Sequence, residues 1–282
     1  MPTKATAIDQ DSLPIHVRKV ERVLIYAFLV AFAAFFAVPL VNAVHLSIQV
    51  GGPANYLEVL TRDFNGVYIP QTFVNSAIVA AMHAFFVCAA GSLAAYAFSQ
   101  IPFFGRETAY YGVLLFLAVP ATAIIVPVYF LTGTLQIFDT ALAVALPEAA
   151  LTLPFAVLLL RNRMDEIPRS LSEAAKLDRA GHFRIFWHVV LPLVRGTLVN
   201  LGALCVMWSI QDFVFPSLLL QSPEQTTAAQ AVQTIRSAFA PTPAESSLYY
   251  AALVLLALPA LLIIVFAFRY VTRGISAGGV KE

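Results

Sequence analysis

Long runs of apolar residues, separated by shorter polar segments, dominate the chain. Six of these runs have about the 20 or more residues that a helix needs to cross a bilayer. They lie at 22–48, 73–98, 109–131, 140–160, 191–220 and 249–270, and the fifth is interrupted by Asp212 and Pro216. The pattern predicts an all-α membrane protein with six transmembrane helices.

The composition excludes the soluble and the disordered classes of protein. Of the 282 residues, 60% are hydrophobic and 12% are charged, and the mean hydropathy is +0.80, whereas soluble domains contain about 25% charged residues. The net charge of +1 is too small to indicate binding to nucleic acid. Because Cys88 and Cys205 both fall inside apolar runs, we interpret them as packing residues rather than as a disulfide or a reactive thiol.

The distribution of basic residues predicts the orientation in the membrane. Fifteen of the seventeen Lys and Arg residues belong to the two termini or to the connections after the second and fourth runs, and only Arg62 and Arg236 belong to the other side. Since cytoplasmic loops are enriched in Lys and Arg, we expect cytoplasmic tails at 1–21 and 271–282 and a periplasmic loop at 49–72. The N-terminal segment lacks the features of a cleaved secretory signal, so we interpret the first run as a permanent helix.

The connection at 161–192 is the one long polar stretch that interrupts the membrane pattern. Ser170 or Ser172 can cap a helix there, and Glu173 suits its positively polarised first turns. Gly181 is the predicted stop of that helix, and a second amphipathic stretch leads back towards the fifth run. We expect a short helical hairpin, although the same composition also fits a solvated loop that only connects two spans.

The residues of this connection resemble the EAA loop of bacterial ABC importer permeases. The matching positions are Glu173, Ala174, Ala175, Lys176, Leu177, Asp178, Ala180, Leu191 and Pro192. Other segments resemble the carbohydrate-importer branch of that family, which includes the maltose permease, and they lie at 55–56, 73–76, 94–98 and 274–281. Two positions depart from the family pattern, since Arg179 replaces the usual glycine and Ile210-Gln211 replaces the usual Trp-Asn.

The resemblance implies the type I ABC importer permease fold over residues 73–270, with the EAA coupling loop at 161–192. It implies a coupling helix that docks on a cytoplasmic ATP-binding subunit through Glu173, Ala174, Ala175, Asp178 and Gly181. The implied partners are a second permease subunit that completes a heterodimer, a dimer of the ATP-binding subunit, an extracytoplasmic solute-binding protein and the lipid bilayer of the bacterial inner membrane.

ATP chemistry is expected in the separate subunit, because the sequence contains no G-x-x-x-x-G-K-[ST] phosphate loop. We therefore expect no enzymatic activity, no cofactor and no metal in this chain.

Polar residues inside the apolar runs are the candidates for contact with the transported solute. Asp212 is the strongest candidate, because burying an acidic side chain in a membrane costs free energy unless the acid is ion-paired or hydrated. The alternative is that Asp212 only marks the periplasmic end of its span. We expect it to be the only strong acid within the spans. The further candidates are Gln211, Asn75 and Trp208, which lies one helical turn before Asp212, followed by the weaker Asn200 and His83, the latter interpreted mainly as a packing residue.

Two other classes of function compete with the importer permease. An ion-driven secondary transporter would be expected to contain an inverted repeat and paired intramembrane acids, and no convincing repeat is found in the sequence. An intramembrane enzyme would require clustered nucleophiles or histidines, whereas His45, His83, His182 and His188 are scattered. The sequence favours half of an import pore for a sugar or a sugar-like solute, with secondary transport as the alternative, and it does not identify the solute.

Overall fold

The computed structural model describes residues 19–278, and most of them are helical. Within this range the β structure is limited to one isolated β-bridge, between Phe64 and Val67. The helices are α1 (Lys19–Ser47), α2 (Ala54–Thr61), α3 (Ile69–Gln100), α4 (Arg106–Leu115), α5 (Ala121–Thr134), α6 (Ala141–Asp165), α7 (Arg169–Leu177), α8 (His182–Ile185), α9 (Leu191–Gln211), α10 (Val214–Leu219), α11 (Ala228–Arg236) and α12 (Pro243–Gly278).

The long apolar helices coincide with the predicted spans. α1, α3, α6 and the continuous segment His182–Gln211 are each long and apolar enough to cross a membrane. The sixth predicted run lies inside α12, which has 36 residues. The prediction of an all-α membrane protein is confirmed, and the count of six crossings stays a prediction.

Two predicted runs are each divided in the structure. The run at 109–131 consists of α4 with a short 3-10 turn, followed by α5, and the two parts are bent by 98°. Pro120 lies at the bend, where a proline disfavours helical geometry in the preceding residue, and Val119 is extended. The run at 191–220 breaks at Asp212, which is also extended and separates α9 from α10.

α3, α6 and α9 form the centre of the molecule, and their buried side chains make one continuous apolar cluster. α3 and α6 approach closely at Gly91, because a Cβ atom added there would lie only 2.9 Å from the Cβ of Ala156. α1 differs from these helices, since it packs along α12 and nearly all of its described side chains are exposed in the isolated chain.

Side-chain contacts join the connecting segments at the end of the molecule that is predicted to be extracytoplasmic. Arg62 Nη1 lies 3.1 Å from Oε1 of Glu245, which joins the end of α2 to the start of α12. Asn75 Nδ2 donates to the backbone carbonyls of Glu224 and Thr226 at 2.7 and 2.9 Å. These contacts fix the segment between α10 and α11 against the start of α3.

At the opposite end, a buried arginine joins α4 to α6. Arg161 Nη2 donates to both carboxylate oxygens of Glu107, at 2.7 and 2.9 Å. Its guanidinium carbon also lies 3.8 Å from the ring centroid of Tyr110, a distance typical of a cation–π contact. The start of α4 is thereby held against the end of α6, directly before the connection at 161–192.

Candidate functional site

The connection at 161–192 forms a compact hairpin, which we call the 161–192 hairpin. The end of α6 leads through Ile167, which is buried, into α7, and α8 continues through a π-helical segment, Phe186–Val190, into α9. The expected hairpin of two helical stretches is therefore present. Its function as a coupling element stays a prediction.

The turn between α7 and α8 is a Schellman motif rather than a glycine stop. The amide of Ala180 donates to the carbonyl of Ala175 at 3.0 Å, and the amide of Arg179 donates to that of Lys176 at 2.9 Å. Arg179 has φ = 58°, the left-handed conformation that glycine adopts without strain. The expectation that Gly181 ends the helix is wrong, because Gly181 has φ = −72° and directly precedes α8.

Hydrogen bonds and aromatic packing attach the hairpin to the end of α3. The buried Ser172 hydroxyl donates to Gln100 Oε1 at 3.3 Å, and Gln100 Nε2 donates to the carbonyl of Met164 at 3.2 Å. The Tyr96 hydroxyl lies 3.4 Å from Nδ1 of His182 and its ring packs against Phe186. These contacts attach the hairpin to the end of α3.

The opposite face of the hairpin is exposed and carries large apolar side chains. Leu177 is 86% exposed, Phe183 71% and Trp187 50%. The predicted docking residues Glu173, Ala174 and Asp178 are also exposed in the structure, while Ala175 is partly buried against the core. An apolar surface of this kind, surrounded by charged residues, is typical of a surface that another protein covers.

The candidate solute-contact residues occupy two different environments. Asn75 is buried and its amide is fully engaged, since Oδ1 also accepts from Gln71 Nε2 at 2.9 Å. Asp212, by contrast, caps the start of α10, because its carboxylate accepts the amides of Val214 at 2.9 Å and Phe215 at 3.4 Å. It therefore lies at the end of α9 and not at a helix centre.

Trp208 and Gln211 lie near Asp212 on the exposed side of α9. Trp208 is 41% exposed, and its ring meets that of Phe155 edge-to-face with centroids 5.5 Å apart. Gln211 is exposed as well. The structure thus places Trp208, Gln211 and Asp212 together at the break between α9 and α10, whereas Asn75 lies elsewhere.

Sequence reasoning overlooked a second acid among the spans. Glu148 of α6 is only 7% exposed, so the expectation that Asp212 is the only strong acid within the spans is wrong. Its Oε2 lies 3.5 Å from Nδ1 of His83, a residue interpreted mainly as a packing residue. A lone carboxyl inside an otherwise apolar run, directly after Pro147, was the signal that could have found it.

A family comparison agrees with this architecture. The model of the family described as "Binding-protein-dependent transport system inner membrane component" matches residues 88–277, well over half of the chain. The chain belongs to this family. The expectation of an ABC importer permease is confirmed, and as a family member with several apolar helices the chain is a multi-pass inner-membrane protein.

Individual relatives support the resemblance to carbohydrate importers. The maltodextrin transport system permease protein MdxG of Bacillus subtilis strain 168 is 27% identical over 273 residues, which cover 94% of this chain and 98% of MdxG. A bacterial ABC transporter that imports the acidic polysaccharide alginate superposes with a TM-score of 0.74 at 18% identity, covering 92% of this chain and 99% of that one. A second structure, of the alginate transporter in complex with an alginate pentasaccharide-bound periplasmic protein, gives 0.68 at 17% identity, with 94% and 99% coverage. The structural matches establish the shared fold.

Proposed function

We propose that this chain forms one half of the translocation pore of an ATP-driven importer for a sugar or a sugar-like solute. The 161–192 hairpin would dock on a separate ATP-binding subunit, so that ATP hydrolysis there drives alternating access of the pore. A second permease subunit, as the other half of a heterodimer, would complete the pore, and an extracytoplasmic binding protein would deliver the solute.

The observation that carries this proposal is the combination of an exposed docking face with a firm attachment beneath it. The exposed side chains of Glu173, Leu177 and Phe183 are available to a partner, whereas Ser172 on the other face of α7 is hydrogen-bonded to Gln100 of α3. A force applied to the hairpin would thus move a helix at the centre of the bundle. Coupling between distant sites requires such a rigid element with two alternative positions.

The proposed solute class is supported by the relatives and by the composition of the exposed end of α9. MdxG is named for maltodextrin transport, and the structural neighbours import alginate. Trp208, Gln211 and Asp212 together offer an aromatic face, an amide and a carboxylate. Aromatic surfaces with a few placed polar groups are common in small-molecule binding sites.

The test is co-purification of the ATP-binding subunit with the chain. Glu173→Ala is expected to reduce the amount of that subunit recovered and to reduce the uptake of ¹⁴C-maltotriose by at least half, because it removes an exposed charge from the docking face. Glu166→Ala is the matched control, since Glu166 is a glutamate whose side chain is 63% exposed but lies before α7. This control is expected to retain the wild-type recovery of the ATP-binding subunit and the wild-type rate of maltotriose uptake.

Two outcomes would contradict the proposal. One is equal loss of the ATP-binding subunit in both glutamate variants, which would mean that α7 has no special role in docking. The other is continued uptake in cells from which every ATP-binding subunit of the importer type has been deleted, which would favour an ion-driven secondary transporter.

A further inference from the structure

Four polar residues from three core helices meet among the membrane-spanning segments, and we call them the Glu148 cluster. They are His83 of α3, Glu148 of α6, Ser209 of α9 and Asp212 directly after α9. His83 is 1% exposed, Glu148 7% and Ser209 6%. Glu148 follows the first residue of α6 by seven positions, about 10 Å along the helix at 1.5 Å per residue.

Both ring nitrogens of His83 lie within hydrogen-bonding distance of other groups of the chain. Its Nδ1 lies 3.1 Å from the carbonyl oxygen of Cys205, and because a carbonyl only accepts, Nδ1 must carry a hydrogen and donate it. Its Nε2 lies 3.1 Å from the hydroxyl of Thr152. His83 thereby fixes α3 to both α6 and α9, and Glu148 is left with no standard hydrogen bond from it.

The carboxylate of Glu148, in contrast, has no hydrogen-bond donor within the described chain. Both of its carboxylate oxygens are closed off from solvent, and neither receives a hydrogen bond from the described part of the chain. The buried hydroxyl of Ser209 also makes no hydrogen bond of standard geometry within the described chain. A buried carboxyl without a hydrogen-bond donor is costly in free energy. The imidazole of His83, 3.5 Å away, is a close neighbour of this carboxyl, but its Nδ1 hydrogen is already donated to Cys205.

The cluster continues to the surface at the break in the fifth run. Ser209 lies one turn before the half-buried Asp212, and Trp208 and Gln211 on the same part of α9 are exposed. The helix ends at Gln211, next to this part of the cluster. An opening at this break would expose the half-buried Asp212 before the buried Glu148.

The chemistry of the missing partner follows from the groups that are unpaired. The unpartnered Glu148 carboxyl and Ser209 hydroxyl, together with the Asp212 carboxylate that caps α10 and the partly exposed Trp208, suit a ligand with several hydroxyl donors and a flat apolar face, which describes a sugar or polyol. The described residues contain no group of three or more His, Cys, Asp or Glu side chains arranged to hold a metal ion.

We propose that Glu148, with Ser209 and Asp212, binds hydroxyl groups of the solute as it passes through this half of the pore. The proposal rests on the proposed function and deepens it, because it assigns the deepest solute contact to α6 and to a residue outside the coupling hairpin. In the structure the cluster is closed, and solute binding requires the outward-facing arrangement in which the break at Asp212 opens.

The first test measures access to position 148 without using any solute. In the assembled importer carrying Cys88→Ala and Cys205→Ala, Glu148→Cys is expected to react with externally added methanethiosulfonate ethylammonium when ATP and vanadate trap the outward-facing state. It is expected to stay unreactive without nucleotide. Val157→Cys is the matched control on the same helix, since Val157 is 1% exposed in the apolar core and should stay unreactive in both states. A Glu148→Cys variant that is unreactive in both states would overturn the proposal.

The second test separates solute binding from structural support. For ¹⁴C-maltotriose uptake, Glu148→Gln is expected to raise KM by about tenfold, the effect of weakening one hydrogen bond to a charged acceptor, while Vmax falls far less. An unchanged KM with a reduced Vmax would assign Glu148 to packing and overturn the proposal. If the wild-type importer takes up no sugar at all, the proposed function fails, and the reactivity of the Glu148→Cys variant still decides whether the cluster lines the pore.

Discussion

Arg179 occupies a backbone conformation that costs free energy for any residue with a Cβ atom. Its φ of 58° places it at the position of the Schellman turn that glycine usually fills. Arg179→Gly is expected to stabilise the turn by about 1 kcal/mol, because the left-handed strain is relieved. Hydrogen exchange of the Ala180 amide, which donates to Ala175, measures this directly as slower exchange.

Arg179→Ala serves as the control for that variant, since it removes the charge but keeps the Cβ atom. Its Ala180 amide should exchange at the wild-type rate. If instead the alanine variant slows exchange as much as the glycine variant, the arginine side chain and not the backbone is the source of instability.

At the scale of helices, the close approach of α3 and α6 depends on Gly91. An alanine there would place its Cβ 2.9 Å from that of Ala156, so the two central helices would have to separate. Gly91→Ala is expected to lower the melting temperature of the purified importer by several degrees. Gly112→Ala is the matched control, because a Cβ at this helical glycine meets nothing within 4 Å, and the gain in helix propensity is the same in both. Equal melting temperatures for the two variants would contradict this account of the helix contact.

Asp139 links the segment between α5 and α6 to the segment after α10. Its carboxylate accepts the amides of Gln221 at 2.8 Å and Ser222 at 3.1 Å as well as the Ser222 hydroxyl. Burial raises the pKa of this carboxyl, but the hydrogen bonds from Ser222 and Gln221 lower it more, so the pKa lies below the ordinary value of 3.8. The ionised carboxylate is therefore the form that the folded chain favours.

A lowered pKa in the folded chain means that Asp139 stabilises the fold above its ordinary pKa and loses this effect as the pH falls through the lowered value. Asp139→Asn should lower the melting temperature at pH 7, and the difference from wild type should disappear once the pH is well below about 3.8. Ser222→Ala, which removes the hydroxyl donor to Asp139, should also lower the melting temperature at pH 7, but by a smaller amount. A difference that persists unchanged at low pH would show that the charge of Asp139 is not what matters.

For the molecule as a whole, the sequence predicts the helices far better than their mutual contacts. Runs of apolar residues and the bias of Lys and Arg are local properties, and they were sufficient for the all-α class and for the hairpin with Glu173 on its surface. The contact of Glu148 with His83 joins residues 65 positions apart and depends on which faces of α3 and α6 meet. Helices that are apolar all round give no periodic signal for that choice, so the lone carboxyl in its apolar run indicates Glu148 but not its neighbour.

The orientation of the whole molecule in the membrane rests on the charge bias and can be tested on two glutamates. The structure places α2 and the 161–192 hairpin at opposite ends of α3, because α2 directly precedes the start of α3, whereas the hairpin contacts Gln100 at its end. Glu58 and Glu166 are exposed residues at these two ends, with side chains 53% and 63% accessible. In the cysteine-free background, Glu58→Cys should react with a membrane-impermeant maleimide in intact spheroplasts.

Glu166→Cys, in the same preparation, should react only after the membrane is permeabilised, since the sequence predicts fifteen of the seventeen basic residues on its side of the membrane. The reverse pattern would place the hairpin outside, where no ATP-binding subunit could reach it, and the coupling role proposed for Glu173 would then be excluded. Reaction of both variants without permeabilisation would mean that an even number of crossings separates Glu58 from Glu166, so that α4 and α5 form a re-entrant pair instead of the bent third span. The 98° angle between these two helices fits either a broken span or a re-entrant pair, and this measurement distinguishes the two.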